Sequence, residues 1–256
     1  MYWQDRMAKA QSALGNKNIK AIEKELKRLY GKSLKRVTED FERTYNQVLL
    51  QQEQGKEVTP ALLYRLDSYW KMQGQLRQEL QKLGDKQIQA LSKVFEIHFF
   101  DIYYSINIEG IEAFSTINAE IAQQIINQIW VADGKSFSQR VWDNTEKLVE
   151  TLNEELIHCV VTGKKTSELK QLLQDRFNVS YNNADMLART EIAHIQTQAA
   201  KKRYEDYGIQ EVQVWAPKDE RQCEICGKLH QKIYPVSATM PVPAHPRCRC
   251  AIIPIV

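Results

Sequence analysis

Lys86–Ile106, KQIQALSKVFEIHFFDIYYSI, decides the fold class. Its apolar residues Leu91, Val94, Phe95, Phe99, Ile102 and Tyr103 recur at steps of three and four. That is the spacing of one face of an α-helix, not of a strand. The same period extends outward in both directions. Upstream, Ile19, Ile22, Leu26 and Leu29 are followed by Leu34, Val37, Phe41, Tyr45 and Val48. Gly31, a poor helix former, is expected to break or bend the chain between these two sets. A further helix is predicted from Pro60 to about Leu83, with Thr59 as N-cap and Pro60 in the first position. The Lys86–Ile106 helix then follows separately.

Downstream, Ala119 to Trp130 reads as a shorter helix. Ser136 and Gln139 have the spacing of a capping box at the head of a helix through Leu148, Leu152, Leu156 and Val160. Gly163 is placed to end it. Thr166 opens another short helix, and Ser180 is expected to cap a last long one that reaches about Tyr207 and stops at Gly208. Glu211 to Trp215 alternates as a strand, and Ala251 to Val256 is a second strand-like run.

Proline draws the main boundary. Only Pro60 precedes residue 217, whereas Pro217, Pro235, Pro241, Pro243, Pro246 and Pro254 follow. A chain that changes its proline use so abruptly is passing from helix into loop and strand. The expected fold is mainly α: an elongated helical body with a small C-terminal zinc-stapled α+β module. Its expected divisions are a helical N-terminal region over 1–120, a helical core over 121–208 and a Cys/His metal-binding β module over 209–256.

The cysteines are as uneven as the prolines. Cys159 stands alone in a helical stretch and reads as a small buried apolar residue. Cys223, Cys226, Cys248 and Cys250 crowd into the last 34 residues. The N-terminus Met1-Tyr2-Trp3-Gln4-Asp5-Arg6 lacks the layout of a secretory signal, so metal ligation is expected over disulfides. Cys223-Glu224-Ile225-Cys226 has the knuckle spacing that lets two thiolates bind one tetrahedral ion. His245-Pro246-Arg247-Cys248-Arg249-Cys250 offers three more ligands. Cys248 and Cys250 would share a face if extended. Four positions are filled either by both late cysteines or by His245 and one of them; His230 is a sixth, weaker candidate. Thiolate with imidazole selects Zn(2+), and a closed four-ligand site is structural. Forty proline-rich residues bury too little apolar surface to fold unaided, which a metal offsets.

Two motifs upstream join these to form a resemblance. Trp215 and Asp219-Glu220-Arg221-Gln222-Cys223-Glu224-Ile225-Cys226, then His245-Pro246-Arg247-Cys248-Arg249-Cys250, resemble the phage Mu F-like minor head protein family. Leu187-Ala188-Arg189-Thr190-Glu191 resembles the family's Arg-Thr-Glu helix. Trp130 to Trp142, with Asp133-Gly134 and Ser138-Gln139-Arg140, resembles the segment before it. The resemblance covers roughly 125–256. It implies a minor capsid or head-morphogenesis protein of a bacteriophage, with no enzymatic activity, inside the virion after assembly in the host cytoplasm. The implied partners are the portal protein, other head proteins and phage DNA. From the residues themselves, Arg189 or Glu191 is expected to brace the metal module; the resemblance implies Arg189, Thr190, Glu191 and Asp219 as structural-motif residues.

Charge supplies a route to DNA. Residues 1–36 hold ten Lys or Arg against Asp5, Glu23 and Glu25, a local excess of +7 in a chain whose net charge is +3. Such an end faces nucleic acid or an acidic protein. A membrane is not expected as a partner, since no run approaches the roughly 18–20 apolar residues that span a bilayer. Two alternatives arise from the same residues. A zinc-containing DNA-binding protein or nuclease would recruit His230 or His245. A ferritin-like dimetal protein would use Glu155-x-x-His158 and Glu191-x-x-His194, with Glu96 as a further ligand.

Overall fold

The computed structural model describes residues 3–55, 59–108 and 116–256. Among the described residues there are seven helices and one three-stranded sheet. In order they are α1 (Trp3–Glu53), α2 (Pro60–Tyr64), α3 (Asp67–Ser105), α4 (Ala119–Ile126), α5 (Phe137–Thr162), α6 (Thr166–Asp206), β1 (Glu211–Trp215), α7 (Glu224–Leu229), β2 (Ile233–Pro235) and β3 (Ala251–Pro254). The mainly helical class with a small β-containing tail holds. The chain forms two compact units, one from Met1–Glu23, Ala90–Phe137 and Asp185–Val256, the other from Lys24–Gln89 and Ser138–Ala184.

Three expected helix breaks do not occur, and each has a physical reason. Helix α1 runs through Gly31. Leu26, Leu29, Tyr30, Val37, Phe41 and Tyr45 form one unbroken buried seam across it, and burying these outweighs the roughly 1 kcal/mol a helical glycine costs. Helix α3 likewise runs through Gly84, so the two predicted helices are one; the break lies earlier, between α2 and α3. Its seam of Leu76, Leu80 and Leu83 continues through Gln87 to Leu91, all buried. The Gln87 Oε1 accepts from the Tyr30 hydroxyl at 3.2 Å, which satisfies one end of its buried amide. Ser180 caps nothing. It sits buried inside α6, where the Asn144 amide donates to its hydroxyl and its carbonyl, both at 2.9 Å.

Gly84 is in the helix for want of a side chain. A Cβ there would lie 2.7 Å from the edge of the Trp142 ring. Gly84→Ala gains roughly 1 kcal/mol of helix propensity but displaces that ring, an overpacking cost of about 1–3 kcal/mol. A net lower Tm is expected in thermal denaturation, and an unchanged or higher Tm would mean that the ring moves aside freely.

Other ends follow the sequence. Pro60 occupies the first turn of α2 after Thr59, which makes no side-chain cap bond. Asn118 caps α4, its side chain accepting from the Ile121 N–H at 2.9 Å, and α4 ends at Ile126, short of Trp130. Gly163 and Gly208 follow α5 and α6 with φ of 60° and 72°, conformations open to glycine.

In the first unit, α6 is buried on every side from residue 191 to 197, which draws polar residues into the interior. Strand β1 is the centre of the sheet, with β2 and β3 antiparallel on either side. Val212 and Val214 point into the core, and all four residues of β3 are buried. The fully buried Tyr204 ties sheet to helices. Its hydroxyl donates to the Ile252 carbonyl at 3.1 Å and accepts from Gln11 at 3.2 Å. Asp5 accepts from the Trp215 indole N–H at 3.2 Å.

Candidate metal centre

The β1–β2 connection carries the early cysteines and the β2–β3 connection the late ones, so the central strand sets both loops side by side. Cys223 is the N-cap of the six-residue α7 and its sulfur accepts from the Cys226 N–H at 3.3 Å. Two overlapping clusters result. Cys223, Cys226 and His245 lie with their ligand atoms within 4.8 Å of one another, and so do Cys226, Cys248 and Cys250. Cys226 belongs to both.

The donor chemistry fits a thiophilic cation. His245 Nε2 lies 3.2 Å from the Cys223 sulfur and 3.1 Å from that of Cys226, while the Cys226 and Cys248 sulfurs are 3.7 Å apart. On the other side of the ring, Nδ1 is 2.8 Å from the Pro246 carbonyl. A carbonyl only accepts, so Nδ1 carries the proton and Nε2 presents its lone pair to the sulfurs. A backbone acceptor fixing the tautomer in this way is the support that metal-binding histidines have.

The thiols compete for protons as close-packed acids must. Cys248 is held down to about 5, chiefly by the hydrogen bond from Cys250, and Cys250 is correspondingly pushed up. Burial raises Cys226 to about 12. Cys223 is lowered by the Cys226 backbone N–H. A divalent cation removes this conflict by holding several thiolates at once.

Two clamps hold the late loop. Arg249 makes a two-pronged pair with Asp219, both contacts 2.6 Å, linking the loop to the chain just before the knuckle. That pairing holds the Asp219 carboxyl down to about 2. Arg247 stands between His245 and Cys248 with φ of 60°, a left-handed conformation that costs a non-glycine residue about 1 kcal/mol. Helix α6 holds it there. Its N–H donates to the Thr190 hydroxyl at 3.1 Å, and its guanidinium donates to Asp185 at 3.0 Å. The Thr190 hydroxyl spends its own proton on the Met186 carbonyl at 2.7 Å.

Bracing of this loop by α6 was expected from Arg189 or Glu191, but the structure gives direct contact to Thr190 and Asp185. Arg189 pairs with Asp185 and with Glu23 of α1, so it reaches the loop only through Asp185. Glu191 accepts from the Trp130 indole N–H at 3.0 Å. No sequence signal singled out Asp185; its position four residues before Arg189 is the one trace. Asp185→Asn leaves Arg247 without a carboxylate and Arg189 with Glu23 alone. It is expected to cost about 1–2 kcal/mol, read as a lower urea midpoint. An unchanged midpoint would make the clamp energetically idle.

His230 stands apart from the clusters. Its Nδ1 accepts from the Ala216 N–H at 3.2 Å and its ring meets Trp215 edge-on. The helical Glu/His pairs also have other partners: Glu155 bonds Arg176, Glu96 accepts from Gln123, and His194 stacks on Trp130. Among the described residues, neither metal-capable cluster includes them.

Residues 150–253 match the model of a family described as "Phage Mu protein F like protein". The match takes in the second half of α5, all of α6, β1, α7, β2, all but the last residue of β3, and both cysteine loops. No curated protein and no solved structure gives a significant match.

Proposed function

We propose, on the premise that residues 150–253 belong to the phage Mu protein F like family, that this chain works as a minor head protein during capsid assembly. The family match carries the reading; the stapled loops and the α6 clamp support it. The role is structural. The chain lies inside the head, associates with the portal and other head proteins, and faces DNA through its basic N-terminal segment. Among the described residues no helix is long and apolar enough to cross a membrane.

The cation is Zn(2+), held by Cys223 and Cys226 with the late ligands His245, Cys248 and Cys250 as the set that completes the site. Bound there, it supplies cross-linking between the two loops. The chain's own residues do the rest: Pro246 orients His245, and Asp185, Thr190 and Asp219 fix the loop that bears the late ligands.

Peptide mass spectrometry of purified virions tests the assembly role. The chain is expected in particles and in complexes captured with tagged portal protein; reproducible absence from both overturns it. Metal analysis of protein purified without chelator is expected to give about one zinc per chain, following from a single closed four-ligand site.

A further inference from the structure

Helix α1 carries an unexplained glycine. Gly31 lies mid-helix, with no atom within 4 Å of where its Cβ would be, so packing does not require it. A glycine costs roughly 1 kcal/mol there relative to alanine. Its surroundings give it a use. The buried seam of this stretch is Leu26, Leu29, Tyr30, Ser33 and Val37. At 100° per residue, Gly31 falls on the opposite crest. Lys27 and Arg28 stand one turn before it, Lys35 one turn after, and Lys24 two turns before. All four are exposed, as are Lys32 and Arg36 on the flank. Two acids neutralise part of this surface, Glu25 by pairing with Arg28 and Glu79 by pairing with Arg36, and the charge left over is that of Lys24, Lys27, Lys32 and Lys35. The result is a bare notch of helix backbone ringed by cations.

We propose that this crest, Lys24, Lys27, Arg28 and Lys35 around Gly31, is a docking surface for the phosphodiester backbone of duplex DNA, with the notch admitting one phosphate against the helix. The inference deepens, and rests on, the DNA-facing part of the proposed function. The occupant follows from charge and shape together. A flexible acidic peptide can reach lysines on any convex face and gains nothing from a missing Cβ. A rigid phosphate backbone approaches closely only where the helix surface recedes. Contacts of this kind position DNA without reading its sequence.

Fluorescence anisotropy with a short random-sequence duplex, titrated over a range of salt with the full chain, tests it. Wild type is expected to bind with a steep salt dependence. The triple variant Lys24→Gln/Lys27→Gln/Lys35→Gln should lower the slope by about 1 per lysine. Gly31→Ala should raise or keep the Tm, yet weaken DNA binding several-fold; Lys228→Gln, on the exposed face of α7, should change neither. A flat wild-type salt response would remove DNA as a ligand. A steep response unaltered by the triple variant would place binding elsewhere and sink this surface alone. Unweakened binding by Gly31→Ala, or poly-glutamate competing as well as DNA at equal charge, would also overturn the proposal. Particle association reads out separately from all of these.

Discussion

Cys226→Ser is expected to abolish the proposed zinc binding and open the two loops between β1 and β3. Cys226 is the one residue shared by both clusters, and it is 5% exposed, so water cannot replace the lost ligand. Structural zinc in small modules contributes an apparent ~10–16 kcal/mol at neutral pH, more than a sheet of three short strands supplies by its own burial. Loop opening then frees the backbone around Lys218, Arg221, Lys228, Lys232, Arg247 and Arg249, which trypsin needs in extended form, although most of these side chains are already exposed. The readouts are metal content and the tryptic pattern by mass spectrometry. Chelation of the unmodified protein should reproduce the pattern. Cys159→Ser, which alters a buried thiol outside the clusters, should keep both metal and protection. Unchanged zinc and unchanged digestion in the Cys226 variant would defeat the stapling reading.

Acid is expected to weaken the first unit steeply between about pH 6.5 and pH 4, well above the range in which most carboxylates titrate. His98 is completely buried, and burial pushes it down to about 4 against the opposing pull of Asp101 and the Ile192 carbonyl. His194 is pushed to about 4 by burial as well; it stacks on Trp130 at 4.2 Å and its Nε2 has no hydrogen-bond partner. Unfolded, both titrate near 6.5. Below that pH the unfolded chain takes up protons that the folded chain refuses, so stability falls as pH drops and the loss is complete near pH 4. Each histidine contributes roughly 3 kcal/mol to that loss. Urea midpoints at pH 7 and pH 4.5, both on chelator-treated protein so that acid release of a metal from the cysteine loops does not enter, measure it. His194→Phe keeps a ring on Trp130 and should remove about half of the difference, and adding His98→Asn should remove most of the remainder. An undiminished pH dependence in the double variant would assign the acid sensitivity to other groups.

Much of the fold was readable because it depends on neighbours in sequence. The apolar period of Leu91 to Tyr103, the stops at Gly163 and Gly208 and the strand Glu211–Trp215 follow from short-range rules. The short helix α7 and the strand β2 were not readable. One is a six-residue helix started by a cysteine cap, and the other is a three-residue strand defined by its pairing with Glu211, Val212 and Gln213 of β1. In the candidate centre, the spacing of Cys223 and Cys226 and the clustering of the late ligands were plain. The overlap at Cys226 and the tautomer of His245 were not, since both depend on how two loops meet.

The sequence by itself determined the main helical stretches, where the long helices give way to the sheet and which side chains cluster as candidate ligands. Tertiary structure decided whether a local weakness becomes a break. Gly31, Gly84 and Ser180 look alike as interruptions, yet the chain passes through all three as helix. A continuous buried seam outweighs the first, the Trp142 ring fills the missing Cβ of the second, and Asn144 satisfies the hydroxyl of the third. It also decided which member of the Arg189-Thr190-Glu191 run meets the late loop. Successive helical residues point about 100° apart, and only the packing of that loop on α6 selects the face that Thr190 occupies.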